Sequence, residues 1–336
     1  MAKDKIISVR APVRFDFSGG PSDVAPFKYK ETGQVFNTAL QMYASVVIEP
    51  RLDQFVRIRS QDLNKSEELD LEKEIKLTGS LKLIKAAITY LSPQMGFNMS
   101  TFVETPLGSG LGSSAAIAVA CIAAIRMLKG EKIMGRRLAE DALFLENVLL
   151  GNINGGQDQY AAALGGFNFL EFAGDNMIIS GVTIPESAVQ TLERGSFFCY
   201  SGESRLSGNV LQEIMRNYNE GDPIITKAIH NIRVLAFQMK NSLEQNSFSD
   251  YEKAIEFALV NQRNLHPQLI TPAIERIVGI AHSFGVNSVK VAGAGGGGCV
   301  YIFSDGEAVH LRNELNQMGY LTLPFKLEKN GVSIIE

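Results

Sequence analysis

Pro106-Leu107-Gly108-Ser109-Gly110-Leu111-Gly112-Ser113-Ser114-Ala115-Ala116 runs straight into an apolar stretch over 115–125. Glycines lack a Cβ, so successive backbone N–H groups can turn toward one centre and a ligand can come close to the chain. A helix starting near Ser113 adds its unpaired N–H groups and the positive end of its dipole. Phosphate oxygens match that arrangement, and a serine hydroxyl at the same turn can hold the magnesium that accompanies them. The stretch reads as a cradle for a nucleoside triphosphate. A glycine-rich turn that merely packs a helix closely is the competing structural reading. A Walker A loop is excluded, because it ends in Gly-Lys-Ser/Thr and no lysine lies between Pro106 and Ala116.

The segments around the loop fit that reading. A strand is expected over 97–103, so strand, glycine loop and apolar helix follow one another as a phosphate site needs. Upstream, β-branched residues mark strands over 6–10, 44–49 and 54–59, a Gly-Pro turn falls at 18–21, and 81–91 has helical spacing. The acidic stretch over 67–74 reads as a solvated edge or loop. Downstream, a helix over 135–150 leads through Gly151-Asn152-Ile153-Asn154-Gly155-Gly156 into Gln157-Asp158-Gln159-Tyr160, read as a glycine-bordered turn, and a strand is expected over 167–172. The second half is richer in helix, at 208–217, 223–246, 251–265 and 272–284, before a glycine cluster at 293–298 and a strand over 299–303. At 336 residues the chain exceeds one usual domain. An α/β protein with two domains, 1–180 and 181–336, sharing a cleft, is the expectation.

Composition excludes several classes. With 45% hydrophobic and 20% charged residues the chain can bury a sizeable core, and nothing in it points to disorder. The balance of 32 basic against 36 acidic residues, without a basic stripe, argues against nucleic acid as a partner. Cys121, Cys199 and Cys299 are odd in number, far apart and set in apolar sequence, so neither a disulfide framework nor a thiolate metal site is expected. A reducing cytoplasm fits. The N-terminal residues show no signal-peptide apolar region. The run over 115–125 is too short to span a bilayer and reads as a helix buried all round.

Several residues are candidates for chemistry, each with a bland counterpart. Gly293, Gly295 and Gly298 make a literal G-x-G-x-x-G, but the strand-like residues after Gly298 stand where a dinucleotide fingerprint needs a helix. Glycines between two strands can instead let one domain pack on the nucleotide loop of the other, or simply form a hairpin turn. Asp158 can accept a hydroxyl proton or hold the hydroxyl in line for attack on phosphorus, or it is a turn residue. Glu146, twelve residues earlier, is a magnesium ligand or a surface helix charge. Arg10 and Arg14 flank Ala11-Pro12-Val13 ahead of Asp23, and an arginine there can stabilise a phosphoryl group in transfer or form a surface salt bridge. His230, His266, His282 and His310 have no ligand spacing among them.

Three segments together resemble the GHMP kinases, the family of galactokinase, homoserine, mevalonate and phosphomevalonate kinases. They are Arg10-Ala11-Pro12-Val13-Arg14 through Asp23, the loop over 106–116, and the stretch from Lys290 to Gly298. The resemblance implies an N-terminal domain like domain 2 of ribosomal protein S5 and a C-terminal ferredoxin-like domain, with ATP in the cleft. It implies that Pro106, Gly108, Ser109, Gly110, Leu111, Gly112, Ser113, Ser114 and Ala115 surround the nucleotide phosphates. Ser114 and Glu146 would hold Mg2+, and Asp158 and Arg14 would be the catalytic pair. Ala11-Pro12-x-Arg14-x-x-x-x-Gly19-Gly20-x-x-Asp23, with Gln157-Asp158-Gln159-Tyr160, is similar to the D-glycero-D-manno-heptose 7-phosphate kinases and the kinase part of fucokinases. Those enzymes phosphorylate the anomeric hydroxyl of a sugar, although Pro21-Ser22 stands here where Gly-Thr is common. Gly19, Gly20, Asp23, Gly295 and Gly296 would face a sugar or sugar-phosphate substrate, and Arg205 its far phosphate. A homodimer is compatible with this reading. A fucose-type sugar kinase, a non-catalytic nucleotide-binding regulator and an ATP-dependent decarboxylase on the same fold are the competing readings.

Overall fold

The structure, a computed structural model, is described over residues 5–203, 208–293 and 295–335. Its strands are β1 (Ile7–Ser18), β2 (Gly33–Pro50), β3 (Phe55–Ser60), β4 (Lys65–Asp70), β5 (Phe97–Val103), β6 (Phe167–Ala173) and β7 (Asn176–Gly181). They continue with β8 (Ser196–Tyr200), β9 (Val289–Val291), β10 (Cys299–Phe303), β11 (Leu321–Pro324) and β12 (Ser333–Ile334).

Two sheets result. The first has the order β12-β1-β2-β5-β3-β4, with β6 paired to β2 and β7 to β6. Only β3 and β5 run parallel in it. Strand β2 is long enough to pair with β6 through its first residues and with β5 through its last, so it holds both ends of the sheet together. Register shifts at Pro12/Val13 and Asp16/Ser18 of β1 bracket Arg14 and Asp16, and such irregularities re-aim side chains beside active sites. The second sheet, β11-β8-β10-β9, is antiparallel throughout.

Helix Ser113–Leu128 lies across the first sheet with Ala115, Ala116 and every residue from Ala118 to Ile125 buried. Its small alanines let it sit close to the sheet and to helices Lys82–Leu91, Gly135–Phe144 and Gln157–Leu164, which is why the run is apolar all round.

The pleat of β10 divides the two cores. Cys299, Tyr301 and Phe303 join the core of the first sheet, while Val300 and Ile302 pack with Ile274, Ile277, Leu311 and Leu315 under helices Pro272–Ser283 and Ala308–Gln317. The rings of Phe15 and Tyr301 stand 4.3 Å apart, with Phe198 and Phe325 beside them. Each such ring contributes about 1.5–3 kcal/mol on burial, so the two halves share an aromatic seam and do not merely touch.

Three sequence expectations change. Strand β1 runs on to Ser18, which puts Arg14 inside the sheet and not on a surface edge. The acidic stretch, in keeping with the solvated edge expected there, begins in an edge strand, β4. Asp158 lies in the first turn of helix Gln157–Leu164, not in a turn. Residues 325–335 return to the first sheet: Glu328 N–H donates to the Ala39 carbonyl at 3.0 Å and β12 pairs with β1. A single cut near residue 180 therefore leaves the last residues with the wrong sheet.

Candidate active site

Strand β5 delivers the chain to the glycine loop, and helix Ser113–Leu128 takes it away. Gly108, Gly110 and Gly112 all have positive φ, between 68° and 79°, which only glycine adopts freely and which turns the loop back on itself. The second glycine cluster presses on it from the other half. A Cβ on Gly293 would stand 2.4 Å from the Gly110 carbonyl oxygen, one on Gly298 2.6 Å from that of Gly108, and Cys299 N–H donates to the Ser109 carbonyl at 2.8 Å. A strand, β10, follows Gly298, so the cluster is a backbone-to-backbone contact and not a dinucleotide fingerprint.

Arg14 spans the mouth of this loop. Its Nε and Nη2 donate to the two carboxylate oxygens of Asp158 at 2.6 and 2.9 Å, and its Nη1 donates to the Gly110 carbonyl at 2.5 Å. The planar fork thus ties the candidate base to the phosphate loop with three bonds. Arg14 is buried, whereas the Asp158 side chain keeps 30% exposure and can be reached from solvent.

Ser114 and Glu146 also come together. The helix Gly135–Phe144 widens into a π-helical turn, Leu145–Leu149, that carries Glu146 inward. Its carboxylate accepts from Ser114 Oγ, Asn154 Nδ2 and Gln159 Nε2, each at 2.9 Å, and has no cationic partner among the described residues. Burial pushes the Glu146 carboxyl above its ordinary range, with those three donors pulling it back. A buried carboxylate beside a hydroxyl is a hard-oxygen donor set that fits a magnesium ion, which takes few protein ligands.

Asp23, Asp16 and Gln157 line the wall next to Asp158. Burial, then the neighbouring Asp16 and Asp158 charges, push the Asp23 carboxyl up to about 7. Gly155 must be glycine, since a Cβ there would lie 1.8 Å from Asp23 Oδ2. Gly20 packs against the same wall, a Cβ there falling 2.7 Å from Gln157 Nε2, whereas Gly19 presses on β2, with a Cβ falling 2.2 Å from the Gln34 carbonyl oxygen. Gly295 and Gly296, expected to face substrate, turn instead to Leu269: a Cβ on Gly295 would meet Leu269 Cγ at 2.4 Å, and Gly296 N–H donates to the Leu269 carbonyl at 2.9 Å. Arg205 lies outside the described residues.

Sequence reasoning missed Asp16, Gln157, Gln159, Asn154 and Lys290. The three consecutive residues Gln157, Asp158 and Gln159 reach Asp16, Arg14 and Glu146 respectively. Two amides flanking an acid were the available signal.

The raised Asp23 carboxyl gives a pH-dependent stability. The folded protein holds this proton to about pH 7 and the unfolded chain only to about 3.8, so stability falls as pH rises through that window. Asp23→Asn removes the loss. The variant is expected to melt roughly 5 °C above the wild type at pH 8 and close to it at pH 4. Thermal unfolding at the two pH values checks this, and equal midpoints at pH 8 would contradict it.

A glycine loop at a helix start, with a forked arginine–aspartate pair beside it where the two α/β halves meet, is the arrangement of a two-domain phosphotransfer enzyme. Residues 82–166 match the model of the GHMP kinases N terminal domain and residues 239–321 that of the GHMP kinases C terminal domain. The chain belongs to the GHMP kinase family. It is 26% identical to the D-glycero-alpha-D-manno-heptose 7-phosphate kinase of Campylobacter jejuni over 98% of both chains. It is 25% identical, over 92% of its length, to the bifunctional fucokinase/GDP-fucose pyrophosphorylase of Arabidopsis thaliana, of which it spans about a third (31%). The solved structure of a D-glycero-D-manno-heptose 1-phosphate kinase from Bacteroides thetaiotaomicron superposes with a TM-score of 0.82 at 22% identity, covering 99% of each chain, which shows the shared fold.

Proposed function

We propose that the protein transfers the γ-phosphoryl group of ATP to the anomeric hydroxyl of a sugar, with D-glycero-D-manno-heptose 7-phosphate as the acceptor. The observation that carries this reading is the Arg14 fork, which joins Asp158 to the Gly110 carbonyl of the phosphate loop. Asp158 orients the sugar hydroxyl and receives its proton while the oxygen bonds to the γ-phosphorus and the bond to the ADP oxygen breaks. Arg14 and the loop N–H groups balance the charge on the phosphoryl oxygens in transfer. Ser114 and Glu146 would hold a magnesium ion, which when bound neutralises phosphate charge.

Asp16 and Asp23 favour a hydroxyl-rich acceptor, since the carboxyl oxygens of two buried acids at that wall can accept hydrogens from sugar hydroxyls. The choice of heptose phosphate rests on the Campylobacter relative, and a fucose-type sugar is the second reading, favoured by the Arabidopsis one. The acid at 158 supports an enzyme over a binding regulator. Three buried free cysteines suit a reducing cytoplasm. No helix among the described residues is long and apolar enough to cross a membrane.

ADP release measured across a panel of sugars and sugar phosphates tests the proposal. Heptose 7-phosphate is expected to give the highest kcat/KM. Turnover of fucose alone would replace the acceptor and keep the kinase, and carbon dioxide release from a diphosphate substrate would overturn both.

A further inference from the structure

Two acceptors in the wall beside Asp158 have no partner. Asp16 Oδ1 and Gln157 Oε1 are shielded from solvent and make no hydrogen bond, and each residue is only 8% exposed. Their other polar atoms meet across a long contact, Gln157 Nε2 donating to Asp16 Oδ2 at 3.4 Å. These two atoms pack against Gly20, where a Cβ would lie 2.7 Å from Gln157 Nε2, 2.9 Å from Asp16 Oδ2 and 3.9 Å from Asp23 Oδ1, so glycine is what fits beside the pair. The neighbouring cations are engaged elsewhere. Lys290 Nζ donates to the Asp16 main-chain carbonyl at 2.8 Å above the Phe15 ring, and Arg14 is tied to Asp158 and Gly110. Buried acceptors without donors are costly, so a group bearing hydroxyls would satisfy what the protein leaves open.

Position on the chain says which hydroxyls. Asp16 stands two residues from Arg14 on β1, and Gln157 immediately precedes Asp158 on its helix, so the pair borders the reacting group on both elements. We propose that Asp16 and Gln157 form a substrate subsite for the hydroxyl next to the one phosphorylated, the 2-hydroxyl of the sugar, whose hydrogen is shared between the two open acceptors, Asp16 Oδ1 and Gln157 Oε1. This rests on the sugar-kinase reading and extends it to a specificity-determining pair. The site selects acceptors with a vicinal diol.

The test pairs an enzyme variant with a substrate variant. Wild type, Asp16→Asn and Gln157→Met are assayed with D-glycero-D-manno-heptose 7-phosphate and with its 2-deoxy analogue. Each substitution is expected to lower kcat/KM for the parent sugar about tenfold to a hundredfold, and that for the 2-deoxy sugar less than about threefold. The KM for ATP and the unfolding midpoint, both measured on the same preparations, should stay near wild type. Equal losses on the two sugars would show a structural role for Asp16 and overturn the subsite, as would a wild type that accepts both sugars alike. A wild type that turns over no sugar of the panel would instead remove the sugar-kinase reading, and the subsite with it.

Discussion

Asp158→Asn is expected to lower kcat by about three orders of magnitude while ATP still binds, because the substitution removes the proton acceptor and spares the phosphate loop. Asparagine keeps the shape of the side chain but offers Arg14 one acceptor where the carboxylate offers two, so the Nε and Nη2 bonds at 2.6 and 2.9 Å cannot both persist. Arg14 is buried and would lose its counter-charge, so some stability goes as well, moderated by the exposed side of Asp158. Nucleotide affinity separates the two effects: a folded variant retains it, since the loop N–H groups and Ser114 are unchanged. Single-turnover phosphoryl transfer at saturating ATP and sugar is the measurement, with ATP titration as its control. A rate within a few-fold of wild type would remove Asp158 from the reaction.

How much of this site could be read from the chain depended on distance along it. The glycine loop was legible because it is one run of consecutive residues, and the glycines at 108, 110 and 112 all take positive φ. Ser114 and Glu146 were legible as types, but their contact depends on a π-helical turn that no propensity rule anticipates. Asp158 was assigned to a turn because two glycines precede it. Gly156 caps the following helix instead, and Ala161, Ala162 and Ala163 carry the helix onward. Strand β1 was cut short because buried charges interrupt its apolar pattern. Asp16 and Gln157, 141 residues apart, meet only once the first half has folded, and Lys290 reaches Asp16, 274 residues away, only once both halves have, so nothing local announces them. The same holds for residues 325–335, whose place beside Ala39 and Leu40 is decided by the first sheet.

The second glycine cluster leads to the other large effect. Gly293→Ala is expected to raise the KM for ATP at least about tenfold and to lower kcat with it, although the change adds a single methyl group. That methyl would stand 2.4 Å from the Gly110 oxygen, 2.9 Å from its Cα and 3.0 Å from its carbonyl carbon, all of them backbone atoms that cannot rotate away. Overpacking of this kind costs about 1–3 kcal/mol, and it can be relieved only by moving the phosphate loop off the β9–β10 connection. The Gly110 oxygen also accepts from Arg14 Nη1 at 2.5 Å, so a shift of the loop carries the arginine fork, and Asp158 with it, away from the reacting hydroxyl. Binding and chemistry should therefore fail together, unlike the Asp158 variant, in which only chemistry fails. Gly279→Ala is the matched control: it lies within helix Pro272–Ser283 with nothing within 4 Å of the new methyl, and should raise stability by about 1 kcal/mol with kinetics unchanged. ATP titration and steady-state kinetics on the two alanine variants decide the matter. If Gly293→Ala matched its control, the contact between the glycine clusters would not be what holds the loop in its working position.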